Sequence, residues 1–252
     1  MALITLNFFS EVLGMETQCT VILPQGSCIG QIGLQNAETD GGFPCLYLLH
    51  GLSDDHTIIL RRTCIDRYAA EQGICVVMPS GGKSFYCDQV NGLKYYTYIS
   101  QELPRRIREF FRVSTAREDT YIAGISMGGY GALKIAMQNP EVFSAAAALS
   151  PVGDLRYPAF DYLLPSLFGS REIPENADLL AIARAHRDDP QKSRLFINIG
   201  TEDFLYDTVQ PLRTALPENG FALTYEEQPG EHSWDLWESK LRHMLQWLKS
   251  GE

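Results

Sequence analysis

The chain has 252 residues and a formal net charge of −10, from 31 acidic against 21 basic side chains. Hydrophobic residues make up 45% and charged residues 21%, the composition of an ordinary globular chain, which excludes a largely disordered polypeptide. A surface this acidic repels phosphate backbones, so nucleic acid is excluded as a natural partner, and the length suits one sizeable α/β domain.

The N-terminus, MALITLNFFSEVLG, is apolar but carries no Lys or Arg ahead of its hydrophobic stretch and no small-residue cleavage site. It reads as a first β-strand rather than a secretory signal. No run reaches the roughly 18 apolar residues that span a bilayer, so the expected location is the cytoplasm, away from membranes. The six cysteines, Cys19, Cys28, Cys45, Cys64, Cys75 and Cys87, all lie in the first third of the chain and form no C-x-x-C pair. Buried, reduced thiols are expected.

Short apolar runs then alternate with helix-period segments, the pattern of a mostly parallel sheet covered by helices. An antiparallel pair is predicted over 2–9 and 19–23, followed by a buried strand over 45–49 and a helix over 57–72. A strand over 74–78 leads into a loop rich in Gly, Tyr and Phe. The next helix is predicted to begin near Tyr98, with Pro104 kinking or restarting it. A strand over 120–123, a helix over 127–138 and a strand over 143–149 complete this rhythm. Residues 151–189 break it with four prolines and several aromatics, a length and composition expected of a lid-like or binding insertion. Strands over 195–199 and 221–226 precede a final helix with Ser233 as its N-cap. One stripe of that helix carries Trp234, Trp237, Leu241, Met244 and Leu248, facing the sheet.

Gly124-Ile-Ser-Met-Gly128 matches G-x-S-x-G. The pattern arises by chance in roughly one chain in ten of this length, so its weight comes from its setting. It follows an apolar strand and opens a helix, the context in which a serine is held on a sharp turn as a nucleophile. The missing Cβ atoms let both flanking segments approach closely. The helix N-terminus aims its dipole and free N–H groups at an oxyanion formed there.

A serine hydroxyl needs a base, and the base needs an orienting acid. In this arrangement the chain order is Ser, then Asp or Glu, then His. Of the histidines after Ser126, His186 falls in the insertion and His243 inside the last helix. His232, in the loop between the last strand and the last helix, is the expected base. Asp203, just past the strand over 195–199, is the expected acid, with Glu202 and Asp207 as nearby alternatives. The oxyanion N–H groups are expected from Met127 and from Leu52, in the loop His50-Gly-Leu-Ser-Asp-Asp-His56. His50 is expected to orient that loop, and Asp54-Asp55 to be solvated or to cap a helix. Tyr86, Tyr95, Tyr157, Tyr162 and Trp234 are candidates for a substrate wall. No H-E-x-x-H, EF-hand or P-loop pattern occurs, so neither a metal nor a cofactor is expected.

With these residues in place, the chain resembles the esterase D group of α/β hydrolases across nearly its whole length. That group includes S-formylglutathione hydrolases, bacterial tributyrin esterases and acetyl- or feruloyl-esterases. The resemblance rests on Leu48-Leu-His-Gly-Leu52, Tyr98-Ile-Ser-Gln-Glu-Leu-Pro104, Gly124-Ile-Ser-Met-Gly-Gly-Tyr-Gly-Ala-Leu133, Gly200-Thr-Glu-Asp-Phe-Leu-Tyr206 and Gly230-Glu-His-Ser-Trp-Asp-Leu-Trp237. It implies an α/β-hydrolase fold, a Ser126–His232–Asp203 triad, and hydrolysis of short acyl esters of the tributyrin type. The glutathione-specific branch usually carries a cysteine where this chain has Asp54, which turns the expectation away from formylglutathione. An S-formylglutathione hydrolase or an acetylxylan or feruloyl esterase are the alternatives, with an acyltransferase or a non-catalytic binding protein as readings of another class. The expected partner is a small-molecule ester, and a homo-oligomer stays open.

Overall fold

The computed structural model describes residues 1–251 apart from 28, 30, 31 and 33–40. Cys28 therefore lies outside the described residues.

Strands β1 (Ala2–Ser10) and β2 (Met15–Leu23) form a hairpin in full register, from Ala2 opposite Leu23 to Ser10 opposite Met15. β2 is longer than the predicted 19–23, because its polar start, Met-Glu-Thr-Gln, is carried by the ladder to β1. Strand β3 (Cys45–Leu49) is buried throughout. The helix predicted over 57–72 is two, α1 (Ile58–Arg62) and α2 (Ile65–Gln72). Thr63 between them is extended, with φ −139°. Its hydroxyl donates to the Ile59 carbonyl at 2.6 Å, and the Cys64 N–H donates to Glu238 at 3.1 Å. That tertiary bond, 174 residues away in the chain, competes successfully with a continuous helix.

After β4 (Cys75–Pro79) comes α3 (Tyr95–Thr97), and then a wide π-turn over Tyr98–Glu102 that runs into α4 (Leu103–Phe110). Helical structure thus starts three residues earlier than expected, and it runs unbroken through Pro104, which stands in the first turn of α4 directly after the π-turn rather than restarting the helix. Strand β5 (Thr120–Ile125), helix α5 (Met127–Gln138) and strand β6 (Ala145–Leu149) follow. The 151–189 segment holds two short helices, α6 (Leu164–Phe168) and α7 (Leu179–Ala185). Strand β7 (Arg194–Gly200), helix α8 (Tyr206–Glu218), strand β8 (Leu223–Gln228) and helix α9 (Trp234–Ser250) complete the chain. The last strand lies two residues beyond its predicted span because Phe221 is buried ahead of it as a core residue.

The eight strands make one sheet in the order β1-β2-β4-β3-β5-β6-β7-β8. β1, β2 and β4 pair antiparallel and all later neighbours pair parallel. Alternation along the strands splits the core in two. Tyr47, Val77, Ile122, Ala146 and Ile197 face α5, α7 and α8, while Leu46, Val76, Ala145 and Phe196 face α2 and α9. The α9 stripe lies in the second core as expected, and the Ser233 hydroxyl caps the helix. Cys19, Cys45, Cys75 and Cys87 are buried free thiols, whereas Cys64 is exposed at the break between α1 and α2. The parallel strands β3, β5 and β7 end at one edge of the sheet, and the loops there carry His50–His56, Ser126 and Asp203.

Candidate active site

Ser126 joins β5 to α5 with φ 57° and ψ −116°, a backbone region that non-glycine residues rarely adopt. Neighbouring backbone holds it there. Its N–H donates to the Leu149 carbonyl at 2.9 Å, and its carbonyl accepts from Tyr130 at 3.1 Å and Val152 at 3.3 Å. The turn also needs two bare glycines. A Cβ on Gly124 would stand 2.2 Å from the Gly128 carbonyl carbon, and one on Gly128 would stand 2.2 Å from the Leu49 carbonyl oxygen. Both distances are far inside contact, so β5, α5 and β3 meet only because these positions lack side chains.

His232 Nε2 lies 3.0 Å from Ser126 Oγ, and Nδ1 lies 2.8 Å and 3.1 Å from the two Asp203 oxygens. Asp203 accepts on the ring, so Nδ1 carries the proton and Nε2 is left to accept from the serine. The Asp203 side chain is fully buried and the His232 side chain is 15% exposed. Asp203 is fixed in turn by the Leu205 N–H at 2.9 Å. The geometry can draw a proton from the hydroxyl and stabilise the resulting imidazolium.

Of the alternative acids, Glu202 points elsewhere: its carboxylate accepts from the Gly230 N–H, and its own N–H donates to the Gly230 carbonyl at 3.1 Å. It thereby ties the loop before His232 to the end of β7, a positioning contact that the sequence reading missed. Asp207 is exposed in the first turn of α8. The other late histidines are engaged locally, His186 with Asp189 at 2.7 Å and His243 with Glu226 at 2.9 Å.

The loop after β3 reaches the serine from the other side. A Cβ on Gly51 would lie 3.7 Å from Ser126 Cβ. His50 anchors this loop: Nδ1 donates to the Gly51 carbonyl at 2.7 Å, Nε2 accepts from the Gly81 N–H at 2.9 Å, and the His50 carbonyl accepts from the Tyr86 hydroxyl at 2.9 Å. Burial holds the His50 pKa below its ordinary value, which favours the neutral ring that these two opposite bonds require. Ser53 has φ 75°, so the chain doubles back directly after Leu52. Met127 is the first residue of α5, where N–H groups have no helical partner.

Tyr86 is not a substrate wall. It is 0% exposed, with its ring against Gly131 and its hydroxyl under the His50 carbonyl. It supports the loop from below. Trp234 is half-buried edge-on against Trp237, and Tyr162 is 64% exposed. Tyr95 is half-buried beside Gly82. Tyr157 does approach the triad, through a residue the sequence reading passed over. Its ring packs on Phe204, centroids 5.9 Å apart, and Phe204 packs on His232 at 4.7 Å. Trp237 meets His232 edge-on, centroids 4.9 Å apart, and donates its indole N–H to Ser150 at 3.0 Å. The Gly-Thr-Glu-Asp-Phe run, with Phe204 next to the acid, was the signal available for it.

Two sizeable cavities lie apart from the triad, one of about 440 Å³ lined by Tyr96, Lys134 and Phe168 among others, and one of about 570 Å³ beside Pro104 and Arg108. Among the described residues no cluster of His, Cys, Asp and Glu is placed to hold a metal ion, and no helix is long and apolar enough to cross a membrane.

Comparison with known proteins agrees with this architecture. The model of the Esterase family, described as "Putative esterase", matches residues 10–248. An acetyl esterase of Caldicellulosiruptor saccharolyticus is 28% identical over 268 residues, covering 98% of each chain. The solved structure of FphF, a fluorophosphonate-binding serine hydrolase of Staphylococcus aureus, is 32% identical with a TM-score of 0.83, covering 99% of this chain and 98% of that one. The S-formylglutathione hydrolase FrmB of the same organism is also 32% identical, with a TM-score of 0.81 and 99% of both chains covered. The fold is that of the α/β hydrolases, and the protein is a serine hydrolase of carboxylic esters. The chain belongs to the Esterase family, in its esterase D and FrmB-like group.

Proposed function

We propose that the chain hydrolyses short-chain acyl esters through a covalent acyl-enzyme on Ser126. The observation that carries the reading is the unbroken relay from Ser126 Oγ to His232 Nε2, 3.0 Å, and from Nδ1 to Asp203, 2.8 Å. Ser126 Oγ attacks the ester carbonyl carbon while its proton passes to Nε2. The tetrahedral oxyanion accepts from the Leu52 and Met127 N–H groups, each such donor being worth about 3 kcal/mol. Collapse breaks the bond to the alcohol oxygen, which takes the proton back from Nε2. Water, deprotonated by the same nitrogen, then attacks the acyl-serine and releases the carboxylic acid. Asp203 stays ionised throughout and holds the ring in one tautomer.

Similarity to the acetyl esterase across 98% of both chains supports a small acyl group. Initial rates on 4-nitrophenyl esters from C2 to C12 test it: an optimum at C2 to C4 is expected, and an optimum at C10 or longer contradicts it. Similarity to FrmB favours a second reading, S-formylglutathione hydrolysis. That reading requires kcat/KM for the thioester far above that for 4-nitrophenyl acetate.

A further inference from the structure

Asp54 is the one acidic side chain of the oxyanion loop that the fold leaves unengaged. Its neighbour Asp55 is tied down, accepting from the Thr57 N–H at 2.8 Å and the Thr57 hydroxyl at 2.6 Å, with Arg61 at 4.0 Å. Among the described residues the Asp54 carboxylate accepts no hydrogen bond and has no cation within ion-pair distance. It is nonetheless half-buried, and burial together with the Asp55 charge raises its pKa. Its oxygens are not among the buried polar atoms that lack a partner, so the carboxylate keeps contact with solvent and is free to meet a ligand.

Its position gives the charge a use. The point where a Gly51 Cβ would sit is 3.2 Å from Asp54 Oδ2 and 3.7 Å from Ser126 Cβ. The carboxylate therefore stands over the same glycine that the serine faces. The left-handed Ser53, with the Asp54 N–H donating to the Gly51 carbonyl at 3.4 Å, folds the side chain back to that point. Arg61 and Arg62 act on Asp54 only at longer range and rank below burial and Asp55 in their effect. A group bound at Ser126 and reaching past Gly51 thus meets an uncompensated acidic oxygen.

We propose that Asp54 is a specificity residue that selects the alcohol portion of the ester by charge, favouring cationic leaving groups and rejecting those that carry a carboxylate. This rests on the esterase reading above, in which the acyl group is short and the alcohol is the part large enough to carry a charge to the loop. It sets glutathione thioesters, whose leaving group bears carboxylates, among the disfavoured substrates.

The test compares kcat/KM for three acetate esters: acetylcholine, its neutral isostere 3,3-dimethylbutyl acetate, and the anionic 3-acetoxypropanoate. In the wild-type protein the expected order is cationic, neutral, anionic. Asp54→Asn is expected to lower the cationic-to-neutral ratio about tenfold and to raise the anionic-to-neutral ratio by a similar factor, about 1.4 kcal/mol each. Both ratios staying within twofold of wild type would overturn the proposal. Should Asp54→Asn fail to fold, the wild-type ratios at 20 mM and 500 mM salt decide. They contract toward unity at high salt if a charge sets them, and salt-insensitive ratios overturn the proposal. Failure to hydrolyse the neutral ester at all would instead strike the esterase reading, which separates the two.

Discussion

Gly128 is what lets α5 pack directly on the end of β3 and the start of the loop after it. In Gly128→Ala the new Cβ would lie 2.2 Å from the Leu49 carbonyl oxygen, 2.6 Å from its carbon and 2.8 Å from the His50 carbonyl oxygen. All three are backbone atoms, so no side-chain rotation relieves them. Restoring ordinary contact, about 3.4 Å or more, needs α5 and the β3 strand end to separate by about 1 Å. That separation lies between the Ser126 turn and the loop bearing Leu52. A misplacement of about 1 Å at reacting groups costs on the order of 100-fold in rate. The accompanying overpacking costs about 1–3 kcal/mol of stability, or roughly 2–12 °C in melting temperature for a chain of this size. Turnover of 4-nitrophenyl acetate and thermal unfolding followed by circular dichroism measure both. A variant with kcat within twofold of wild type and an unchanged melting temperature would refute the reasoning, because it would mean that the gap tolerates a methyl group.

Asp203→Asn keeps the side-chain volume but no longer imposes the tautomer with Nδ1 protonated, so kcat on the same ester is expected to fall about 10⁴-fold; a loss under tenfold contradicts the role. Glu102 is 3% exposed and its carboxylate accepts from the Ser10 hydroxyl and from the Glu11 and Val12 N–H groups at 2.8 and 3.3 Å, closing the β1–β2 turn onto α4. Glu102→Ala is expected to cost about 3 kcal/mol in urea unfolding by orphaning those donors, and a cost under 1 kcal/mol would show that the turn closes without it. His56 is buried between Thr20 and Gln18, and burial lowers its pKa from 6.5. The unfolded chain therefore takes up this proton before the folded one does, so the stability His56 contributes is present above pH 6.5 and is lost as the pH falls through its folded value. The urea midpoint is expected to fall less steeply from pH 7 to pH 5 in His56→Asn than in wild type; equal slopes contradict this.

What the sequence revealed and what it hid divide by range. The Ser126 turn was legible because its causes are local, with two glycines, a strand before and a helix after, all within a few residues. Asp203 and His232 were legible because each follows a strand end in a fixed chain order. The break at Thr63 was not, since a bond from Cys64 to Glu238 makes it, and neither was the burial of Tyr86, whose ring fills the space left by Gly131 while its hydroxyl holds a carbonyl 36 residues away. An aromatic-rich loop near an expected mouth looks the same in sequence whether its rings line the mouth or brace the loop beneath it. Phe204 escaped for the converse reason: 51% exposed, it belongs to no periodic stripe and gains its place only when His232 arrives beside it. Glu202 looked like a competing acid, and the structure turns it to the Gly230 backbone instead.

The proposed mechanism stands or falls on acylation of Ser126 Oγ. Intact mass and peptide mapping after reaction with phenylmethylsulfonyl fluoride test it most directly. One adduct per chain is expected, on Ser126, with loss of esterase activity in proportion to labelling and neither label nor turnover in Ser126→Ala. An adduct on any other residue that tracks the loss of activity, or ester turnover surviving in Ser126→Ala, would contradict it.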